Sequence, residues 1–551
     1  MKLELYKLEL FASATISVAC AAGCGSIHTI EDNPDAAGGL QSQAPAALWA
    51  RTTLSPTTES LFSSTAVDAS GNVYAAGEIW GPGTLDFGNG VTPTGVSAGY
   101  NALVVKYDSS GTAQWGRTST AQPGQTVSAG SNGSSFSSVA VDSSGNIYAA
   151  GATSGASGPV DFGNGVRVVR TDTFANAVLV KYDPLGIAQW ARAVTAGSSY
   201  SGFSSVAVDP SGNVYVAGEI DGNGTYNFGD NVTATGTATN AGYTNSPGNA
   251  VLAKYDSSGV AQWAQTVTAG SPASGFGSVA VDSAGNVFAA GSIAGTGTYD
   301  FGHGITATGT ASQGHIANEA VGNSLLVKYN SSGIPQWAQT VTAGTSGSVF
   351  GSVAVDSAGN AYAAGSVGSG THDFGNGVTA TGTSSVIPFA GPVYGVILKY
   401  DSSGIANWAQ TVNGGPNSYF DSVSVDFSGS VYAAGSIDGY EAGTYDFGHG
   451  VTATATASAA ASGQGAYHVA LVKYDSSGIA QWARSSVNGG SVAAILTSVT
   501  VDSTDHLYTA GGIGSTGSAG SAGVVDFGNN VTATGTYVPS PGWSALLVKY
   551  Q

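Results

Sequence analysis

Residues 47–53 read ALWARTT, and the chain closes on SALLVKYQ at 544–551. The Trp signature of the first stretch returns six more times, as QWGR, QWAR, QWAQ or NWAQ. Each of those six copies follows a Lys-Tyr pair by about seven residues, as in KYDSSGVAQWAQ. The opening copy has no Lys-Tyr before it, and the closing Lys-Tyr has no Trp after it. Two halves of one hairpin therefore stand at opposite ends of the chain.

The rest of the sequence repeats around that hairpin, and internal repeats take precedence over local assignments. A Val-Asp pair recurs at Asp68, Asp142, Asp209, Asp282, Asp356, Asp426 and Asp502, and the Lys-Tyr pair at Lys106, Lys181, Lys254, Lys328, Lys399, Lys473 and Lys549. A DFG-like triplet also appears seven times, with Asn227 once in place of Asp. Each unit reads as two hairpins: SVAVD and VYAAG joined by SSGN, then ALLVKYD and IAQWAQ joined by SSG. Apolar runs bounded by Gly, Asn and Ser turns are the signature of short strands. Four strands per unit, a to d, carry small Val and Ala first and Trp last. That gradient suits sheets wedged radially around an axis, the shape of a β-propeller.

The fold expected is all-β: a seven-bladed propeller of four-stranded blades over residues 47–551. Strand d at 47–53 pairs with the C-terminal strand c and closes the ring. Closure removes the two free edges that an open array would expose. SGNVYAAG, DFGNGV, LVKYDSSG and QWA resemble the SBBP-type bacterial beta-propeller repeat family, over roughly residues 47–551, although YAAG stands where that family often has a bulkier strand. The resemblance implies a propeller in a surface or extracellular setting and supplies no catalytic residues.

Residues 10–24, LFASATISVACAAGC, read as a short secretory apolar segment ending in a lipobox-like AAGC. The expectation is a signal segment over 1–24 lipidated at Cys24, with Cys20 the other candidate and an ordinary cleaved export signal the alternative. Residues 25–46 read as a flexible tether. This points to the bacterial cell envelope, at the outer surface or in the periplasm, or else to secretion. The body has no cysteine.

Charge narrows the function. The formal net charge is −19, with 15 Lys plus Arg. Nucleic-acid binding needs clustered basic side chains and is not expected, nor is polybasic contact with anionic lipid. No P-loop, HExxH or GxSxG context appears, and the seven histidines lack metal-ligand spacing. No catalytic or metal residue is assigned. His303 and His449 occupy the Asn position of DFGNG and read as turn substitutions. The repeated Asp-x-Ser-Gly-Asn invites calcium, which takes six to eight oxygens, but Asp at a turn start more often caps its own backbone; no cofactor is expected, with calcium the alternative.

The a–b and c–d turns are short and uniform, whereas the b–c connections run from about 23 to 32 residues and vary most. Binding residues favour variable loops on a rigid scaffold. The candidate ligand residues are the loop aromatics Trp80, Tyr243, Phe389, Tyr440 and Trp543, set against the reading that each packs under its own loop. Asn-Gly in each DFGNG predicts a further small hairpin per blade. The expectation is a monomeric, non-catalytic interaction module for a surface glycan or protein. The alternatives are a structural envelope protein and a propeller enzyme acting on polysaccharide. No single blade stands out in the template.

Overall fold

The computed structural model describes residues 44–54, 58–121, 133–155, 159–169, 174–195, 197, 199–238, 248–270, 273–312, 322–383, 393–439, 442–456, 467–488, 492–515, 523–535 and 542–551. Seven antiparallel four-stranded sheets form a β-propeller. Their innermost strands, a, are Glu59–Val67, Gly133–Val141, Ser201–Val208, Ser274–Val281, Ser348–Val355, Ser418–Val425 and Val492–Val501, which define blades 1 to 7. In blade 1, strands b, c and d are Val73–Trp80, Tyr100–Tyr107 and Ala113–Thr118. Blade 7 takes b from Leu507–Ser515, c from Trp543–Tyr550 and d from Ala47–Thr52 at the other end of the chain.

The closing pair is in register, with Trp49 opposite Lys549 and Arg51 opposite Leu547. The Gln551 N–H donates to the Ala46 carbonyl at 3.0 Å, the bond that Asp108 N–H makes to Thr112 inside an intact c–d turn. Gln551 and Ala46 thus flank the place where the seventh c–d turn would sit.

Three rings of contacts hold the blades to one another. At the axis, strand a presents a bare backbone edge, and an unpaired buried N–H is costly. A serine on each strand a accepts a hydrogen bond from strand a of the next blade: Ser64 from Val139, Ser138 from Val206, Ser205 from Val279, and so on to Ser498, which accepts from Thr65. The same bond recurs from Val353, Val423 and Val499 to Ser278, Ser352 and Ser422.

In the middle ring, the strand-d Trp of one blade lies on the turn glycine of the next, so that a Cβ on Gly333 would come within 2.8 Å of the Trp263 ring. The indole N–H points to a carbonyl in the same turn, as Trp263 does to Ser331 at 3.3 Å. The strand-c lysine reaches that carbonyl too: Lys254 Nζ is 3.2 Å from the Ser331 oxygen and 5.1 Å from the centre of the Tyr215 ring. The ammonium is thus held between an aromatic face and a turn carbonyl while the stem lies along the sheet.

The outer ring comes from the DFGNG hairpins. Each Phe is buried, and Phe87, Phe162, Phe228, Phe301, Phe374 and Phe447 meet a Phe of their own blade's strand a. The segment after strand d of one blade then pairs with the hairpin of the next, as in Thr195 with Asn227 and Thr342 N–H with the Asp373 carbonyl. Asn89 and Gly90 both have positive φ, 53° and 73°, as a two-residue Asn-Gly hairpin requires. His303 and His449 hold the Asn position at φ 55° and 57°, which makes them turn substitutions.

Each strand a carries a bulge, in blade 4 between Phe276 and Ser278. The bulge pushes a carbonyl against strand b, where the glycine of YAAG stands in every blade.

Candidate functional site

The a–b and c–d turns share one face of the disc, and the b–c and d–a connections share the other. On the turn face, the repeated Asp residues cap. Asp68 Oδ1 accepts from the Ser70 and Asn72 N–H groups, and Oδ2 from Asn72 Nδ2 and the Tyr74 hydroxyl, all between 2.8 and 3.0 Å. In blade 7, burial works to raise the Asp502 carboxyl, yet bonds from Thr504, the His506 N–H and the Tyr508 hydroxyl hold it below its ordinary value. Four donors occupy the acceptor sites that a cation would need. Among the described residues no group of three or more His, Cys, Asp or Glu is arranged to hold a metal.

The cations are spent on this side as well. Arg51, Arg117 and Arg192 each place Nε on a glycine carbonyl of the neighbouring c–d turn, 2.6 to 2.7 Å away. Arg484 reaches the carbonyls of Phe527 and Ala44, and Arg167 pairs with Asp161 in its outer hairpin at 2.9 Å. Among the described residues of the b–c and d–a connections, Arg167 is the one Lys or Arg, and Asp161 pairs it.

Of the sequence candidates, Trp80 and Trp543 lie on the loop face, on either side of the start of strand a of blade 1. Trp80 is half-buried and meets Tyr100 edge to face, with ring centres 5.3 Å apart at 80°. Its indole N–H donates to Glu78 Oε1 at 2.6 Å. Glu59 is the direct cross-strand partner of Trp80, and its carboxyl lies against Gly542, where a Cβ would come 2.8 Å from Glu59 Cδ. The next residue, Trp543, lays its ring over Gly512 and Gly514 beside Leu61. Substituting either glycine would push this ring away, so the two bare positions seat it.

The carboxyls here differ from those of the turns. Burial raises Glu59 to about 7 and Glu78 to about 7, the latter against the lowering effect of the Trp80 hydrogen bond. Glu59 Oε2 is buried and has no hydrogen-bond partner. Blade 1 therefore stands out, contrary to the expectation that the template singles out no blade. Cys20, Cys24, Tyr243, Phe389 and Tyr440 lie outside the described residues. Glu59 and Glu78 are absent from the sequence candidates. The signal that could have found Glu78 is its place directly after the YAAG glycine, where five of the other blades carry Ala, Ser or Gly. At the axis only blade 6 places an acid, Asp421, on the bulge, and the other blades have Ser, Thr or Gly there, so no acidic pair forms across that tier.

The repeat itself is identified by residues 190–224, which match the SBBP beta-propeller repeat model. The chain carries an SBBP repeat. That match runs from the strand-d Trp of blade 2 through strands a and b of blade 3, and the other SBBP-like units copy its residues. No curated protein matches the sequence. A protein of unknown function from Dyadobacter fermentans is similar at 9% identity and a TM-score of 0.35, over 74% of this chain and 96% of that one. PorZ, an essential bacterial surface component of the type-IX secretion system of Porphyromonas gingivalis, is similar at 10% identity and a TM-score of 0.17, over 90% of this chain and 83% of that one. Likeness at this level says nothing about the function of the SBBP propeller.

Two buried histidines hold the loop-side scaffold. His468 occupies the position of Asn101 and Asn249 and contacts the Ser486 and Thr456 carbonyls, both at 3.0 Å. His372 replaces the Tyr found as Tyr226, Tyr299 and Tyr445, whose hydroxyls donate to the carbonyls of Asp221, Ala294 and Asp438. Its Nδ1 is buried without a partner. Burial, against a raising contribution from the Gly368 carbonyl, lowers its pKa below the ordinary 6.5. The unfolded chain then takes up a proton that the folded one refuses, so stability is full above 6.5 and falls as pH drops below it. His372→Tyr supplies a hydroxyl for the Gly368 carbonyl and is expected to gain about 1 kcal/mol. Melting curves from pH 7.5 to pH 5 check this: the variant should lose less stability on acidification than the parent.

Proposed function

We propose that this protein is an exported, lipid-anchored propeller that works as a non-catalytic interaction module, presenting its loop face to a surface glycan or protein. The observation that carries this reading is the Trp80–Tyr100–Glu78 group with Trp543 beside it. These aromatics are partly open on the variable face, whereas the strand-d tryptophans are spent on turns. An aromatic face with a carboxyl at its edge suits the apolar face and hydroxyls of a sugar, and equally anchors a protein side chain. A face whose one described cation, Arg167, is already paired with Asp161 disfavours polyanions and favours neutral ligands.

The test is binding of the purified protein to an array of bacterial surface glycans. Trp80→Ala is expected to weaken a saturable interaction by roughly tenfold to a hundredfold, the size of a lost aromatic anchor, with the melting temperature preserved. Saturable binding that Trp80→Ala and Trp543→Ala leave unchanged would sink this placement of the site.

A second reading rests on the same residues. Two carboxyls near 7 on one strand pair are suited to general acid–base work, which favours a polysaccharide-acting enzyme. Release of reducing sugar from a bound glycan, abolished in Glu78→Gln, would select it. Absence of any binding would favour a structural envelope role.

A further inference from the structure

The turn face carries an apolar ring that the scaffold does not use. The residue before strand d is Ile187, Val260, Ile334, Ile405 or Ile479 in blades 2 to 6, exposed by 37 to 49%. Blade 1 has Thr112 at this position, so the turn itself does not demand a branched aliphatic side chain. Leu185 and Phe427, exposed by 69% and 63%, add to the same face, as does Leu48 where other blades carry Gln or Asn. Five recurrences of one exposed apolar position, set in a flat rim of short turns, differ from scattered surface leucines, which need no explanation.

The course of the chain indicates what covers this ring. Ala44 to Ala46 occupy the missing seventh turn of that same face, where the Ala44 carbonyl accepts from Arg484. The 43 residues before Ala44 leave from there and include the uncharged apolar run 10–24. A flexible coil of the length of residues 25–43 would span about 25 Å. A tether of that length holds the turn face near any membrane carrying its far end, at an effective concentration near millimolar, so weak contacts suffice. We propose that the turn face docks on a zwitterionic lipid surface through this ring, with the loop face turned away from the membrane. The lysines bound to turn carbonyls, and the Asp residues among them, leave no polybasic patch for anionic lipid. This inference rests on the lipid-anchor reading above.

The test uses the full chain, isolated from membranes and reconstituted in phosphatidylcholine vesicles. The body has no cysteine, so Ile405→Cys and, as loop-face control, Val96→Cys each accept a polarity-sensitive bimane label. Intact mass of the N-terminus reports the anchor separately, and a chain without lipid overturns that reading rather than the docking geometry. The expected result is a blue shift on vesicle addition at position 405 and none at 96. The shift should shrink when Ile187, Ile334 and Ile479 are changed to Ser, with circular dichroism confirming the fold. No shift at 405 in the anchored protein, or equal shifts at both positions, overturns the docking. A blue-shifted label at 405 without vesicles, with a doubled mass by light scattering, overturns it in favour of a second copy on this face.

Discussion

Gly291→Ala is expected to prevent folding of the propeller or to destabilise it by more than about 4 kcal/mol, a loss reserved for a few mechanisms that include overpacking of a core. A Cβ at this position would stand 1.9 Å from the Gly275 carbonyl oxygen and 2.8 Å from Phe276 Cα. Both are backbone atoms of strand a, so no rotamer change relieves the clash. The bulge that delivers the carbonyl also aims Ser278 at the Val353 N–H, so relaxing it breaks the axial ring. Six other blades repeat the geometry, with clashes of 1.9 to 2.0 Å at Gly77, Gly151, Gly218, Gly365, Gly435 and Gly511. Gly304→Ala is the control, because nothing lies within 4 Å of its Cβ and only its φ of 77° opposes substitution. That variant should lose about 1 kcal/mol. Soluble yield and urea midpoints of the two variants decide between them; equal losses would show that the bulge yields.

Deleting residues 44–54 is the second large perturbation. It removes the strand that pairs with the outer edge of Trp543–Tyr550, together with Trp49 on Gly111 and the Arg51 bond to the Gly111 carbonyl. A propeller opened at one blade exposes sheet edges on both sides. The truncated chain is expected to melt at least 10 °C lower, for a loss on the order of 5 kcal/mol, and to self-associate. Supplying a synthetic peptide of residues 44–54 should restore the melting temperature in a saturable manner, since the docking strand is continuous and needs no other segment. Full stability of the truncated chain, or indifference to the peptide, would refute closure by this strand. Joining Gln551 to Ala46 through Ser-Ser-Gly should act the other way, because the new turn would reproduce that of five other blades.

The aromatic candidates illustrate where sequence reading stops. Trp80 and Trp543 could be selected as loop residues, but their positions 463 apart along the chain hid that they flank one strand. Glu59 and Glu78 carried no motif, and what raises them is burial between blades, which no local spacing encodes. His372 read as one of seven histidines without ligand spacing, and only its place in a fourfold set of aromatic positions explains its isolated Nδ1. The lysines show the same limit. Their period was plain, but the carbonyl and the aromatic face that receive an ammonium such as that of Lys254 belong to different blades.

Periodicity alone determined the blade count, the four strands of each unit, the DFGNG hairpins and the split blade, because each follows from which residues prefer strands or turns and from where the repeat is cut. The tertiary structure alone decided which groups complete one another across blades: the serine that accepts the neighbouring N–H, the glycine that admits a carbonyl, the turn that receives an indole, and the acids beside Trp80. These are contacts between units whose sequence separation carries no information about distance. They arise only when the ring closes and every blade's bare edge meets the next.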